Sequence, residues 1–211
     1  MKILAVQNRM GIGDMVIFLP FIEAIAKKFG VPVNILVKES SKAIQFLGDN
    51  KNIDQIIILD RDNKNKNGRH DGIFGSINLI KDLKKNNFDK IFIFNSSLRF
   101  NLIARFSKIP EIYQYPLFNK TNQHIINLPK KFLKEKLNLD VYGDPEIQIN
   151  DSLLPQTIKK FQIDKNKLNI LLGIGGSGPT KRIPAKTFLN VIDRILKEKK
   201  CKFFLATGKD S

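Results

Sequence analysis

Short apolar runs alternate along this chain with longer amphipathic stretches, in which apolar and polar positions are mixed. The short runs have strand length and lie at residues 2–7, 31–37, 54–59, 90–94 and 109–113. The stretches between them repeat apolar side chains at helical spacing and lie at residues 15–29, 40–47, 74–86 and 97–106. Strands that alternate with helices predict a parallel sheet, so we expect an α/β protein that opens with a βαβαβ arrangement.

Glycine and proline positions set the expected limits of the helices. Gly30 predicts the end of the first helix, and Pro20 inside it predicts either a kink or a delayed start. Residues 122–137 predict a basic amphipathic helix that Pro129 interrupts. This helix either has one core-facing and one solvated side or lies on an anionic membrane surface. His124, which begins it, is a candidate for lining a cleft.

A change of composition at residues 142–151, where glycine, proline and acidic residues collect, predicts a domain boundary. The elements predicted beyond it are a helix, a strand, a glycine-rich turn, a helix and a strand, at residues 152–161, 169–173, 174–184, 185–199 and 202–206. This order corresponds to a second βαβ unit. We therefore expect an N-terminal domain at residues 1–145 and an incomplete second domain at residues 152–211.

The excess of basic residues favours anionic partners. The chain has 211 residues, of which 42% are hydrophobic, and its 36 basic against 20 acidic residues give a net charge of +16. This surplus attracts nucleic acid, acidic lipid head groups or phosphosugars, although a general lysine-rich composition would also produce it. The lysines are spread along the chain without a motif of stacking aromatic residues, which disfavours a nucleic-acid surface.

The single cysteine and the N-terminus predict a cytoplasmic protein. Cys201 excludes an internal disulfide, which fits a reducing compartment, and its apolar surroundings predict a core position. The chain passes from Lys2 into a strand rather than into a signal peptide. Apolar runs also fall short of the ~20 residues needed to span a bilayer.

Polar residues follow the third and fourth predicted strands. Residues 60–71 predict a mobile loop with solvated charges, and a lid over a substrate is the alternative. His70 lies in this loop without a second candidate ligand, so we predict no metal site. Asn95, Ser96 and Ser97 follow the fourth strand and either cap the next helix or line a cleft.

The turn between the first strand and the first helix, residues 9–14, carries the first candidate chemistry. In open α/β sheets, ligands bind outside the carboxyl ends of the strands, where this turn is predicted to lie. Gly11 and Gly13 allow a ligand to approach the backbone closely, and the N–H groups at a helix start favour anionic groups. Asp14 is either the N-cap of the helix or a carboxylate base beside a phosphorylated or sugar substrate. The third glycine of the dinucleotide fingerprint is missing, which disfavours NAD.

A second glycine-rich turn, at residues 174–184, carries adjacent positive charges. Small residues there expose backbone N–H donors, and Lys181 and Arg182 add cations that suit a diphosphate. The alternative is a plain glycine loop with charges that face solvent. The turn lacks the Gly-Lys-Ser/Thr ending of a P-loop, so it does not belong to that nucleotide-binding class.

Together, the two turns resemble those of the family 9 glycosyltransferases, the heptosyltransferase family of lipopolysaccharide core synthesis. The pattern is a strand, R-x-G-x-G-D and a proline-containing helix, followed later by a strand, G-x-x-x-x-x-K-R-x-P and a helix. The resemblance covers the whole chain in order. It implies a GT-B fold, in which the first Rossmann-like domain binds the acceptor and the second binds the nucleotide-sugar across a shared gap.

The resemblance also assigns roles to residues. Asp14 matches the family's catalytic base, which takes the proton from an acceptor hydroxyl during inverting transfer, and Gly11 and Gly13 match the loop that shapes its site. Lys181 matches the lysine that contacts the donor diphosphate, and Ser177 lies in the same turn. The implied reaction moves a heptose-like sugar from an ADP-sugar to a lipid-linked or oligosaccharide acceptor, without a metal or other cofactor.

Two departures from the family pattern leave an alternative open. Ile183 occupies the position of the tryptophan in the family's K-x-W-P pattern, which bears on local packing and nucleotide preference. The family's second donor-binding motif, an acidic glycine-rich segment, would lie beyond residue 211. The alternative is therefore a non-catalytic binding protein that retains the acceptor domain. In the glycosyltransferase interpretation, the basic surplus also predicts loose attachment to the inner face of an anionic membrane.

Overall fold

The computed structural model describes residues 1–9, 11–61, 68–117, 124–175 and 182–207. The chain divides into Met1–Ile149, called unit 1 below, and Asn150–Ser211, called unit 2. Unit 1 contains a five-stranded sheet, and unit 2 contains a two-stranded sheet. Strands and helices alternate in both units, so the α/β class predicted from apolar periodicity is confirmed.

The strands of unit 1 form a parallel sheet. They are β1 (Ile3–Gln7), β2 (Val33–Lys38), β3 (Ile53–Leu59), β4 (Lys90–Ile93) and β5 (Glu111–Gln114). Their order across the sheet is β3-β2-β1-β4-β5. Val6 of β1 lies opposite Leu36 on one side and Ile93 on the other. Because all these strands run in the same direction, their carboxyl ends meet at one edge of the sheet.

Helices cover both faces of this sheet. They are α1 (Ile12–Phe29), α2 (Ala43–Leu47), α3 (Gly72–Asn86), α4 (Leu98–Phe106) and α5 (Asn127–Leu137). Ile3 and Ala5 of β1 pack in one core cluster with α1 and α5, whereas Leu4 and Val6 pack in a second cluster with α3 and α4. A strand covered on both faces has no polar side, which is why β1 is a continuous apolar run. None of the described helices is both long and apolar enough to cross a membrane.

The start of α1 differs from its sequence prediction. The helix begins at Ile12, earlier than predicted, and continues through Pro20 without a break in its assignment. Proline removes one backbone N–H from the helical hydrogen bonds. Phe18 and Ile22 on either side of it are fully or almost fully buried, so packing on the sheet holds this stretch in place. Gly30 adopts a φ of 67° and ends the helix, as predicted.

Two elements near the end of unit 1 are displaced from their predicted positions. β5 occupies Glu111–Gln114, and Ile109 precedes it as a buried residue of the α3–α4 cluster. α5 begins at Asn127, so Pro129 lies in its first turn and does not interrupt the helix. The first N–H groups of a helix have no acceptor within it, so proline is tolerated there. The predicted start of this helix, at residues 122–123, lies outside the described residues.

Unit 2 contains the predicted βαβ arrangement but no closed core among its described residues. Its elements are α6 (Leu154–Phe161), β6 (Leu168–Gly173), α7 (Ala185–Glu198) and β7 (Cys201–Ala206), and β6 and β7 are parallel. None of the described residues of this unit is buried, and Leu171, Leu189 and Leu205 are exposed. Cys201, which was expected in a core, is half-buried. Two strands are too few to bury the apolar faces of such elements.

Amide hydrogen exchange of the intact chain should separate the two sheets. We expect the amides of β6 and β7 to exchange at least about a hundredfold faster than those of β1, because a fully covered strand opens only with its whole domain. Peptide mass spectrometry measures this difference. β2, which is also well buried, is the internal control and should match β1. Equal protection of both sheets would show that unit 2 has a closed core after all.

Candidate active site

The strand order of unit 1 creates a reversal point at one edge of its sheet. β2 lies on one side of β1 and β4 on the other, so the chain moves outward from β1 in opposite directions. In parallel sheets of this kind, ligands bind at such a reversal, outside the carboxyl ends of the strands. The chain leaves β1 there through Asn8 and Arg9 and enters α1 at Gly11. The glycine-rich turn singled out in the sequence therefore lies at the reversal point.

Asp14 lies in the first turn of α1 and does not cap it. The N-cap is Gly11, and no side-chain hydrogen bond caps this helix. The N-cap interpretation of Asp14 is therefore wrong, because the backbone turns into the helix before it reaches Asp14. The side chain is partly exposed, and within the described part of the chain its carboxylate has no hydrogen-bond or ion-pair partner. The positive end of the helix dipole favours an anionic side chain there, and its oxygens are available to a ligand.

The geometry of the turn requires glycine at position 11 and not at position 13. Gly11 has a φ of 111° and a ψ of 154°, a backbone conformation that is essentially restricted to glycine. A Cβ on Gly11 would also lie 3.9 Å from Oδ2 of Asp14. A Cβ on Gly13 would meet no described heavy atom within 4 Å. The described fold thus gives no steric reason for a glycine at position 13.

Side-chain hydrogen bonds join the ends of neighbouring strands at this edge. Asn95, which follows β4, donates from Nδ2 to Oδ1 of Asn8, which follows β1, over 3.3 Å. Gln114, at the end of β5, donates from Nε2 to the carbonyl oxygens of Asn95 and Ser97, at 3.0 and 2.9 Å. Ser97 is the N-cap residue of α4, and its N–H donates to Oδ1 of Asn95 at 2.9 Å. These bonds hold the exits of β1, β4 and β5 together.

Two buried polar side chains near the same edge have no hydrogen-bond partner in the described chain. They are Gln7, the last residue of β1, and Tyr115, directly after β5, with 1% and 5% of their surfaces exposed. The strand register places them in one row across the sheet, with Phe94 between them. An unsatisfied buried polar group costs about 1–3 kcal/mol, so each is a candidate for a functional role. Sequence analysis missed both residues because Gln7 ends an apolar run and Tyr115 lies just beyond one.

The Tyr115 hydroxyl lies among aromatic rings. Its ring packs edge-to-face on Phe94 and Phe132, with centroid separations of 5.9 and 5.0 Å. Burial raises the pKa of Tyr115 well above its usual value, and the positive charge of Arg9 acts in the opposite direction. The hydroxyl therefore stays protonated at neutral pH and is a hydrogen-bond donor.

The loop after β3 is anchored at its two described ends. The backbone N–H of Asp60 donates to Nδ1 of His70 at 3.1 Å, and Nε2 of His70 lies 3.1 Å from Oδ2 of Asp82. Because Nδ1 accepts, the proton of the neutral ring is on Nε2 and is donated to Asp82. His70 is only 4% exposed, so the prediction of a mobile, solvated loop is wrong at these ends. Residues 62–67 lie outside the described chain.

Arg69 completes this anchor through Asp82. Its Nε and Nη2 donate to the two carboxylate oxygens of Asp82 at 3.1 and 2.8 Å. The pKa of Asp82 is lowered chiefly by these hydrogen bonds; partial burial opposes the shift, and the hydrogen bond from His70 adds to it. The two-point contact fixes the orientation of the guanidinium. As a result, α3 holds the base of this loop near the carboxyl end of β3.

The other residues predicted from the sequence are only partly described. Ser177 and Lys181 lie outside the described residues. Arg182 is exposed and lies in the segment between β6 and α7, shortly before the helix begins. His124 is exposed, and its Nδ1 accepts from the N–H of Ile126 at 3.5 Å, a contact within the turn before α5. No group of three or more metal-ligating side chains occurs among the described residues.

Comparison with solved structures identifies the fold, whereas neither protein-family models nor curated protein sequences match this chain. The chain is similar to a family 9 glycosyl transferase from Veillonella parvula, with 19% identity, a TM-score of 0.71 and 99% of this chain aligned to 70% of that one. It is also similar to the ADP-heptose lipopolysaccharide heptosyltransferase II of E. coli, with 15% identity, a TM-score of 0.69 and coverages of 97% and 64%. For the E. coli heptosyltransferase WaaC with ADP-2-deoxy-2-fluoro heptose, the identity is 14%, the TM-score 0.63 and the coverages 99% and 69%.

These likenesses bear on the fold rather than on the roles of individual residues. The predicted GT-B-type architecture is confirmed, and the resemblance to family 9 glycosyltransferases is confirmed at the level of the fold. The chain spans 64–70% of the lengths of these three structures. Because the sequence identity to these structures is 14–19%, the similarity by itself assigns no role to Asp14.

Alanine substitutions should distinguish the two glycines of the turn. We expect Gly11→Ala to lower the free energy of unfolding by about 1–3 kcal/mol, because its backbone conformation is strained for any other residue. Gly13→Ala should leave the unfolding free energy unchanged or raise it by up to ~1 kcal/mol, since alanine is the better helix former. Urea unfolding followed by circular dichroism measures both. A destabilising Gly13→Ala would mean that the space beside Gly13 is not open.

The Asp82 anchor should contribute to stability in a pH-dependent way. We expect Asp82→Asn to lower the unfolding free energy at pH 7 by about 1–2 kcal/mol, because Arg69 and His70 lose a charged acceptor. The pKa of Asp82 is lowered in the folded state, so its contribution is complete above its unfolded pKa of about 4 and decreases as the pH falls below that value. The difference between wild type and variant should therefore shrink in acid.

The matched control for this measurement is Asp144→Asn, which changes an exposed carboxylate between the last helix of unit 1 and unit 2. Its unfolding free energy should equal that of the wild type at every pH tested. If Asp82→Asn behaved in the same way, the hydrogen bonds of Asp82 would not contribute to the stability of the loop base.

Proposed function

We propose that this chain is a family 9 glycosyltransferase that transfers a heptose-like sugar from an ADP-sugar to a lipid-linked or oligosaccharide acceptor, such as a lipopolysaccharide core. The observation that carries the proposal is the position of Asp14, a carboxylate without a partner in the described chain, in the first helical turn at the reversal point of the sheet. The fold supports it, because two of the similar structures are named as heptosyltransferases. No described feature favours the alternative of a non-catalytic binding protein.

In the proposed reaction, Asp14 acts as general base. Its carboxylate accepts the proton of an acceptor hydroxyl while the hydroxyl oxygen attacks the anomeric carbon of the donor sugar. The new carbon–oxygen bond forms as the bond from the anomeric carbon to the nucleotide diphosphate breaks on the opposite side, which inverts the configuration. The diphosphate leaves with the electron pair of that bond. A base in this role has to lie within hydrogen-bond distance of the acceptor oxygen, and the open space beside Gly13 provides room for such an approach.

Polar groups at the exits of β1 and β4 are proposed to orient the acceptor. Asn8 and Asn95 are joined to each other at the strand exits and display amide groups of the kind that bind sugar hydroxyls. Held by a rigid sheet edge, such groups would position the acceptor oxygen without the entropy cost of ordering loops.

The donor is proposed to bind at the second glycine-rich turn, in unit 2. Backbone N–H groups of Ser177 and its neighbours would bind the diphosphate, as glycine-rich turns between strand and helix do in other nucleotide-binding proteins. Lys181 and Arg182 would offset the negative charge that develops on the leaving diphosphate. In this proposal, these cations perform the task that a metal ion performs in other transferases.

The proposed location is the cytoplasm, at the inner face of an anionic membrane. The net charge of +16 would attract the chain to acidic lipid, where a lipid-linked acceptor is embedded. The chain spans about two thirds of the lengths of the similar structures. Catalytic turnover by this chain is therefore proposed here and does not follow from the fold alone.

Substitution of Asp14 tests the proposed function. We expect Asp14→Asn to lower turnover by about 10²–10⁴-fold, because the amide cannot accept the acceptor proton, with little change in the unfolding free energy. Transfer is measured by mass spectrometry of the acceptor, with ADP-heptose and a panel of other nucleotide-sugars as donors. The matched control is Asp54→Asn, an exposed carboxylate near the amino end of β3, away from the carboxyl edge of the sheet.

Two outcomes would contradict the proposal. Unchanged turnover in Asp14→Asn would exclude this residue as the base. Absence of transfer by the wild-type chain from every donor in the panel would exclude a glycosyltransferase activity for this chain and would favour the binding-protein alternative.

A further inference from the structure

The helices α3 and α4 of unit 1 leave an apolar groove open to solvent. The groove has a volume of about 520 Å³ and runs between the two helices. Ile73 and Phe74, in the first turn of α3, are 81% and 82% exposed, and Leu98, Leu102 and Phe106 of α4 are exposed as well. Contiguous exposed apolar side chains of this size are unusual on a monomeric soluble protein and mark interaction sites.

This apolar surface is additional to the core of unit 1. The core-facing side of α3 is formed by the buried residues Leu79 and Leu83, against whose cluster the half-buried Ile80 also packs, whereas Ile73 and Ile77 form a separate exposed stripe one helical turn apart. α4 repeats the arrangement, since Phe100, Ile103 and Ala104 are buried while a second stripe is exposed, at Leu98, Leu102 and Phe106. Because the core is complete without the two exposed stripes, folding of unit 1 does not explain them.

Basic side chains flank these stripes. Lys84 lies one helical turn after Ile80 on α3 and is exposed, as is the adjacent Lys85. α4 contains Arg99 and Arg105 and no acidic residue. Arg99 lines the groove and donates to the hydroxyl of Ser76 at 2.8 Å, which fixes its position on the wall. An apolar stripe bordered by lysine and arginine is the composition of elements that lie in the interface of an anionic bilayer.

We propose that the α3–α4 surface docks on an anionic lipid bilayer. Ile73, Phe74 and Phe106 enter the boundary between head groups and acyl chains, and the exposed Lys84, Lys85 and Arg105 contact lipid phosphates. A bilayer is favoured over a protein partner because the apolar side chains protrude beside an open groove and the exposed Lys84, Lys85 and Arg105 are complementary to acidic lipid, whereas Asp71 and Asp82 of the α3 segment each form an ion pair with an arginine. The surface is inferred from unit 1 alone, whereas its use in reaching a lipid-linked acceptor rests on the proposed function.

The placement of the surface is consistent with that use. The groove includes Gly72 and Leu98, which begin α3 and α4, the helices that follow β3 and β4 along the chain. Asp14 follows the carboxyl end of β1 at the same edge of the sheet. Docking along the length of α3 and α4, whose first turns lie toward this edge, would therefore place the edge alongside the membrane.

Flotation of the full chain with lipid vesicles tests the docking surface. We expect the wild type to float with vesicles of phosphatidylcholine and phosphatidylglycerol, and to float at least about tenfold less with phosphatidylcholine alone. The double variant Ile73→Ser and Phe74→Ser should lose at least about tenfold in partitioning to the anionic vesicles. The matched control, Ile44→Ser and Tyr142→Ser, removes two exposed apolar residues from elements that do not line the groove and should bind like the wild type.

A charge variant and two further measurements complete the test. Lys84→Glu with Lys85→Glu should weaken flotation on anionic vesicles and leave the circular dichroism spectrum unchanged, which excludes unfolding as the cause. The proposal is overturned if the Ile73 and Phe74 double variant floats like the wild type, or if lipid charge has no effect. It is also overturned if light scattering shows a wild-type dimer that this variant dissociates, because the surface would then bind a second copy.

Transfer to a short soluble acceptor separates this proposal from the proposed function. The Ile73 and Phe74 double variant should retain that activity, because neither residue belongs to the Asp14 turn. Lipid-charge-dependent flotation by a chain without any transfer activity would support the docking surface and reject the glycosyltransferase. Transfer without flotation would do the reverse.

Discussion

The burial of β1 on both faces is the constraint on which the rest of unit 1 depends. Its side chains alternate between two core clusters, so β1 has neither a polar face nor a free edge. Right-handed crossovers then place the helices before and after the reversal on opposite faces of the sheet, with α1 on one and α3 and α4 on the other. The strand exits that result meet at one edge. Polar chemistry is concentrated there because the remainder of β1 is enclosed by apolar side chains.

The candidate chemistry at this edge consists of groups whose hydrogen-bonding capacity the described chain does not use. Asp14 is an acidic side chain at the positive end of a helix and lacks a described partner. Gln7 and Tyr115 are buried polar side chains in the same situation. The buried Gln7 and Tyr115 lower the stability of the domain because they lack partners, whereas the helix dipole favours the charge of Asp14, whose oxygens are available to a ligand. Gly11 matters for a different reason, since its backbone conformation sets where the helix that carries Asp14 begins.

The two units leave apolar surface exposed for different physical reasons. In unit 1 the core is complete, and the exposed stripes of α3 and α4 lie on faces that the sheet does not need. In unit 2 none of the described residues is buried, although α6 and α7 alternate apolar and polar positions at helical spacing. The stability of unit 2 therefore depends on additional covering of its sheet and helices. The stripes of unit 1 require no such covering for folding, and this favours an interaction surface.

The sequence by itself determined the α/β class, the order of strands and helices, the helix end at Gly30 and the turn that contains Asp14, because local spacing and backbone preference govern all of these. It did not determine the buried position of His70 or its hydrogen bond to Asp82. Nor did it indicate that Gln7 would be buried without a partner. These features were decided only by the tertiary structure. They arise from contacts between segments that are distant along the chain and come together only when the strands pair. Local sequence patterns do not predict such contacts.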